Sequence, residues 1–313
     1  MRIFVAGATG AVGRAMTPQL LSVGHDVTAI TRDAAKAVAL ERQGVDAVVC
    51  DVFDNDTLIE AVRHAAPDAV IHQLTDLPAA MDPRNIDDLY ARNDRVRREG
   101  TRNLLEAARL ASVPRFVLQS MGTWYRPEGS SVKAEPDPLW IDAPEPIGTA
   151  VRTVADMETL VTEGVADGVV LRYGAFYGPG TWYAPDGAIA QMMRRRLFPM
   201  IGRGDGITSF VHVDDAASAA VAALTAPRGV YNVADDEPAR ASEWMPIFAA
   251  ANGAPPPRSL PQIVVRLFLG KALTEWVATM RGASAAKMKA STAWRPRYPS
   301  WRTGFHSREL SPP

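Results

Sequence analysis

Arg2-Ile3-Phe4-Val5-Ala6-Gly7-Ala8-Thr9-Gly10-Ala11-Val12-Gly13 decides the fold. An apolar run of strand length meets three evenly spaced glycines, and the amphipathic stretch Val12–Val23 follows. Gly7 permits a tight turn, Gly10 removes the Cβ that would strike a ligand, and Gly13 lets the following helix pack close to the sheet. The free N–H groups at the start of that helix face an anion. Gly7, Thr9, Gly10, Ala11, Val12 and Gly13 are therefore the candidate cradle for a dinucleotide pyrophosphate. The same glycines also suit an ordinary strand–helix turn, so the flanking sequence has to decide.

That sequence keeps the same rhythm. Short apolar runs at Arg2–Ala6, Asp26–Ile30, Ala47–Val49, Ala69–His72, Arg115–Gln119 and Val169–Leu171 predict strands. Between them Ala34–Gln43, Thr57–Ala65 and Thr101–Ala111 carry helical patterns. The alternation predicts an α/β fold, a doubly wound parallel sheet with a smaller C-terminal substrate lobe. Residues 1–172 read mainly as the dinucleotide-binding domain and 173–313 mainly as the lobe, with about 208–225 returning to the first. Val230–Val233 falls in the lobe on this reading. Arg126–Pro146, rich in Pro and charge, predicts a long surface loop behind the fifth strand, and the segment from Pro255 onward has the least legible role.

The chain has 313 residues, a formal charge of −1 and 22% charged residues, so no field recruits nucleic acid or an anionic membrane surface. Cys50 is the single cysteine, which excludes an internal disulfide. No signal-peptide core precedes the glycine turn, and no apolar run approaches the ~20 residues of a membrane span. The expectation is a soluble cytoplasmic protein with a small-molecule substrate. His25, His64, His72 and His306 show no ligand spacing, so no metal site is expected.

Seven blocks in order carry a resemblance. They are Gly7–Gly13, Asp51-Val52, Asn93 with Gly100–Ala107, Arg115–Ser120, Leu171–Gly180, Phe210–Asp215 and Gly229–Val233. Together they resemble the extended short-chain dehydrogenase/reductase family, in its sugar-epimerase-like branch, over roughly residues 1–250. The resemblance implies a Rossmann-type fold and a catalytic set of Ser/Thr, Tyr and Lys, the last two spaced Tyr-x-x-x-Lys. Ser120 matches the first position. Glu158 matches an acid four residues beyond the Lys, which puts the Lys slot on Val154 and the Tyr slot on Ala150. Glu145–Glu163 contains neither Tyr nor Lys, so the chain is similar to atypical members that have lost the standard acid.

The resemblance also implies adenine contact from Asp51 and Val52, against an ordinary strand-end turn. It implies diphosphate and ribose contact from Leu74 and Thr75, and nicotinamide contact from Tyr173, Ala175 and Phe176. Arg32, at the end of the second strand, can pair with a 2′-phosphate, which favours NADP. NAD is the alternative, with Asp33 as ribose reader, although Asp33 also suits a helix N-cap. Arg14 is a further phosphate-binding candidate. Tyr125 is the first candidate for a substitute proton donor, against a packing role beside Trp124. Trp182 and Tyr183 suggest an aromatic wall, whereas Tyr177 and His212 read as structural. Family members often dimerise through the helix holding the missing motif, so a homodimer is an inherited expectation, and Ala150, Val151 and Val154 would suit such packing.

Three functions compete. The first is an NADP-dependent oxidoreductase reducing a carbonyl or activated C=C of a small apolar or aromatic metabolite with a nonstandard proton donor. The second is a cofactor-holding isomerase, epimerase or dehydratase without net redox change. The third is a noncatalytic NADP(H)-binding sensor.

Overall fold

The structure, a computed structural model, describes residues 1–78 and 86–306, with backbone alone at 86–90. Seven strands form one parallel sheet: β1 (Arg2–Ala6), β2 (Asp26–Thr31), β3 (Asp46–Val49), β4 (Ala69–His72), β5 (Arg115–Met121), β6 (Asp167–Tyr173) and β7 (Gly229–Val233). Their order is β7-β6-β5-β4-β1-β2-β3. The chain moves outward from β1 through β2 to β3, then crosses back to lay β4 on the other side of β1. Connections leave β1 and β4 in opposite directions, which opens a crevice at their carboxyl ends. The glycine turn sits at that crevice.

The helices are α1 (Ala11–Ser22), α2 (Ala34–Glu41), α3 (Asn55–Ala65), α4 (Ile86–Arg95), α5 (Thr101–Leu110), α6 (Ile147–Gly164), α7 (Ala188–Arg194), α8 (Val213–Ala222), α9 (Ala241–Ala251) and α10 (Gln262–Thr279). A π turn at Val96–Gly100 joins α4 to α5. Alternation along β1 divides the core between the two faces. Ile3 and Val5 pack with Met16 and Leu20 of α1 and with Ala216 and Ala220 of α8. Phe4 and Ala6 pack with Val62 of α3, Leu104 of α5 and Met157 of α6. Both faces are covered, which is why the strands read as continuous apolar runs.

Two expectations change, and the last segment gains a defined course. Gly229–Val233, read as part of the second lobe, is the edge strand of the main sheet and pairs residue for residue with Val169–Tyr173. Arg126–Pro146 is pinned rather than loose: Val132–Lys133 pairs with Gly282–Ala283, and Lys133, Leu139 and Trp140 are buried. Residues beyond 255 build α10, whose path breaks at Gly270 (φ 73°), and the short helices Ala286–Ser291 and Trp301–Gly304. Trp301 is fully buried and donates to the carbonyl of Glu237.

A Cβ on Gly13 would lie 2.1 Å from the Gly7 carbonyl oxygen and 2.6 Å from the Ala8 backbone. Gly13→Ala should therefore cost about 2 kcal/mol or more, since rigid backbone has to move. Gly164→Ala, where nothing lies within 4 Å, should leave Tm unchanged or slightly raised. Thermal unfolding of the two variants checks this, and a neutral Gly13→Ala would contradict the close helix–sheet approach.

Candidate active site

A cavity of about 1680 Å³ starts at the glycine turn and ends under α10. Gly10 precedes α1 in extended conformation, and no side chain caps the helix. The first-turn N–H groups thus remain open for an anion. The three glycines have different reasons to be glycine. Gly7 (φ 105°) would put a Cβ 2.7 Å from the backbone of Gln73, while a Cβ on Gly10 would meet only the Gly7 oxygen, at 3.4 Å. Among the described residues nothing demands glycine at position 10, which leaves space there at the open end of the cavity. Thr9, Ala11 and Val12 line the same end.

Arg32 is exposed and lines the cavity beside Lys36, a second cation that the sequence reading passed over although it follows by one helical turn. Asp33 accepts hydrogen bonds from the N–H groups of Ala35 and Lys36 at 2.8 and 3.2 Å. It caps α2 through its Oδ1 oxygen. Arg14 packs its guanidinium against Gly180. Asp51 uses one carboxylate oxygen to accept from Phe53 N, and the carbonyl of Val52 accepts from Asn103. Both residues line the cavity.

Leu74 and Thr75 line its middle. Leu74 N donates to Nδ1 of His72, whose other ring nitrogen lies 2.9 Å from Thr101 Oγ1. Burial pushes the His72 pKa down to about 3, so this imidazole stays neutral and shapes the turn. Tyr173, Ala175 and Phe176 also reach the cavity. The Tyr173 hydroxyl donates to the Ala216 carbonyl and accepts from Gln73.

Ser120 and Tyr125 belong to one buried network. The Ser120 hydroxyl donates to Glu158 at 2.5 Å. Arg172 grips Glu158 through Nε and Nη2, and its Nη1 donates to the Tyr125 oxygen at 2.9 Å. Tyr125 passes its own proton to Asn232 Oδ1 at 2.7 Å, and Asn232 N donates to Glu135. Tyr125 is buried and does not line the cavity. As a candidate for the substitute acid it is set back from the cavity: its hydroxyl hydrogen is engaged with β7, and burial raises the phenol pKa. Ser120 does line the cavity, yet its proton is committed to a carboxylate.

Ala150 and Val154, the vacated Tyr and Lys slots, are completely buried with Val151 against Trp124, Tyr125 and Ile147. Covered within the chain, these three offer no surface to a second copy. Over them Trp124 stacks on Trp276 of α10, with centroids 4.8 Å apart, and Trp276 Nε1 donates to the Thr123 carbonyl. Trp182 and Tyr183 also line the cavity, from a separate aromatic cluster. Tyr183 packs against Phe210, Trp244 and Phe248, and burial pushes its phenol pKa up, so it is a poor acid. His212 caps α8, accepting from Asp214 N, and Tyr177 packs between Phe210 and Phe305. The sequence reading missed Trp276, Arg97, Met121 and Thr123, all of which line the cavity.

Gly10→Val should abolish dinucleotide binding and leave Tm unchanged, because only ligand space is lost. Unaltered NADP(H) affinity in that variant would remove the glycine turn from the site. Tyr125→Phe should lower stability by about 1–3 kcal/mol, since Arg172 and Asn232 each lose a buried partner. Its rate in a single turnover should match wild type, whereas a hundredfold slower turnover at unchanged stability would identify Tyr125 as the acid.

Residues 3–234 match the model of the NAD dependent epimerase/dehydratase family. A Streptomyces protein named 3-diazoavenalumate denitrifying reductase is 44% identical over 97% of this chain and 99% of its own. The L-arabinose 1-dehydrogenase (NAD(P)(+)) of Haloferax volcanii is 36% identical over 48% of this chain and 52% of its own. Among solved structures, the Thermus thermophilus UDP-glucose 4-epimerase complex with NAD superposes with a TM-score of 0.74 at 25% identity, covering 98% of this chain and 97% of that one. A human epimerase family protein with NADPH shares the fold at TM-score 0.74 and 22% identity, covering 99% of each chain. Family model, sequence and fold agree, and the chain belongs to the NAD-dependent epimerase/dehydratase family.

Proposed function

We propose that this protein is an NADPH-dependent reductase of a flat aromatic acceptor whose reduction takes no proton from the protein, an arenediazonium being the acceptor that fits best. One observation carries the reading: the hydroxyl protons of Ser120, Tyr125 and Tyr173 are all committed to partners inside the protein. When bound, a reduced nicotinamide dinucleotide supplies hydride. A carbonyl acceptor would also need a proton on oxygen, and the residues that deliver it in the family, Tyr and Lys, are Ala150 and Val154 in this chain. An arenediazonium has no such requirement. Hydride forms the new C–H bond, the C–N bond breaks, and its electron pair leaves with N2, so that Ar–N2⁺ and H⁻ give Ar–H and N2. The chain's own part is to hold the ring against the Trp124–Trp276 wall and to keep water away. The Streptomyces relative, matched over nearly its whole length, is named for a denitrifying reduction of a diazo compound and supports the reading.

Arg32 and Lys36 at the adenosine end favour the 2′-phosphate of NADPH, because Asp33 is engaged in capping α2. A reducing cytoplasm suits an NADPH-dependent enzyme.

Incubation with 4-deuterated NADPH and an arenediazonium salt, corrected for the enzyme-free rate, tests the chemistry. The expected result is one N2 per NADPH consumed, with deuterium on the ring carbon and none taken from solvent. No acceleration over the enzyme-free reaction, or solvent hydrogen at that carbon, would overturn it. Arg32→Asp should weaken NADPH binding by about tenfold more than NADH binding. Equal losses would mean that another residue reads the ribose.

A further inference from the structure

Where β5 ends, two hydrogen-bond donors converge on a poor acceptor, with an unpartnered hydroxyl in the same stretch of chain. Arg97, on the π turn and only 6% exposed, directs Nη2 at Met121 Sδ, 2.7 Å away. The indole Nε1 of Trp124 lies 3.1 Å from the same sulfur. Thr123, between them in sequence, has a buried Oγ1 with no hydrogen-bond partner among the described residues. All four residues line the cavity. A thioether is a weak acceptor, whereas a guanidinium in a site shielded from water binds an anionic oxygen strongly.

Among the described residues, two carboxylates belong to this region. Glu158 is gripped by Arg172 and Ser120. Asp94, one turn before Arg97, is pushed up by burial and pulled down by the guanidinium groups of Arg97 and Arg98. Its Oδ1 makes no hydrogen bond among the described residues. Arg97 has a further contact within the protein, so it is held in place as well as aimed. The Trp124–Trp276 stack, beside the sulfur, gives an aromatic ring a platform next to this group of donors.

We propose that Arg97, Thr123 and Trp124 form an anion subsite, in which an anionic oxygen of the aromatic ligand, carboxylate or phenolate, takes the place of the Met121 sulfur. The assignment rests on reading the cavity as the substrate site of a reductase. Arg97 is the specificity residue: it selects acids among flat aromatic ligands and fixes which edge of the ring points toward the end of β5. Met121 occupies the donors when no ligand is present and swings aside, as an unbranched flexible side chain can.

Calorimetric binding to the full chain, saturated with NADP⁺, tests this without turnover. The probes are cinnamate, methyl cinnamate, 4-hydroxycinnamate and methyl 4-hydroxycinnamate, each at pH 7 and pH 9. Cinnamate binding about tenfold or more tightly than methyl cinnamate assigns the oxygen to a carboxylate. Methyl 4-hydroxycinnamate gaining similarly over methyl cinnamate at pH 9 assigns it to a phenolate. Arg97→Met should erase the preference, while Arg97→Lys keeps the charge without the fork and retains part of it. Met121→Leu should keep the preference in full. Wild type and Arg97→Lys suffice if Arg97→Met fails to fold. Equal affinity for acid and ester in both comparisons, no binding of any probe, or a preference that survives Arg97→Met overturns the subsite. Loss of the subsite would leave the deuterium experiment standing, and failure of that experiment would leave the measured anion preference standing.

Discussion

The buried pair of Glu158 and Arg172 is the constraint on which the site depends. Glu158 comes from α6 and Arg172 from β6, and their side chains meet through three nitrogen–oxygen contacts with less than a tenth of either exposed. Two charges taken out of water are tolerable only when both are paired and hydrogen-bonded. Ser120, Tyr125 and the Glu135 carbonyl supply the remaining bonds. Through them the end of β5, helix α6, strands β6 and β7 and the loop beyond Tyr125 are held in one arrangement. Removing one charge would strand the other at a cost of about 3–5 kcal/mol. The floor of the cavity is thus rigid because its polar groups have no other partners to take.

The same network explains how the family's frame persists without the family's acid. With Tyr and Lys gone, the helix that carried them is apolar at both slots, and Trp124 closes over them. The protein has exchanged a proton relay for an aromatic surface. On the proposed reading, hydride chemistry that depends on orientation alone survives this exchange.

Much of the frame was legible because it rests on local rules. The glycine spacing, the alternation of Ile3 and Val5 against Phe4 and Ala6, and the capping role of Asp33 each follow from a few neighbouring residues. The setting of Tyr125 was not legible, because its place near Ser120 in sequence says nothing of Asn232, to which its hydroxyl donates across 107 positions. Trp276 was invisible for a like reason: it meets Thr123 from 153 residues away. Gly229–Val233 carried a strand pattern, but a pattern does not reveal which sheet the strand joins. Arg97 lies buried on the π turn within the charged run Arg95–Glu99, where the sequence alone gives no sign of which side chain turns inward.

The Trp124–Trp276 stack also sets an order in time. The glycine turn, the sheet and the Glu158–Arg172 pair are complete once residue 233 has been made, so the dinucleotide end can form while the rest of the chain is still emerging. The aromatic wall cannot, because half of it belongs to α10. Synthesis of the proposed cofactor end therefore precedes that of the aromatic wall, and Ala285, Met288 and Trp294, from the last quarter of the chain, complete the core on the α1 face only afterwards.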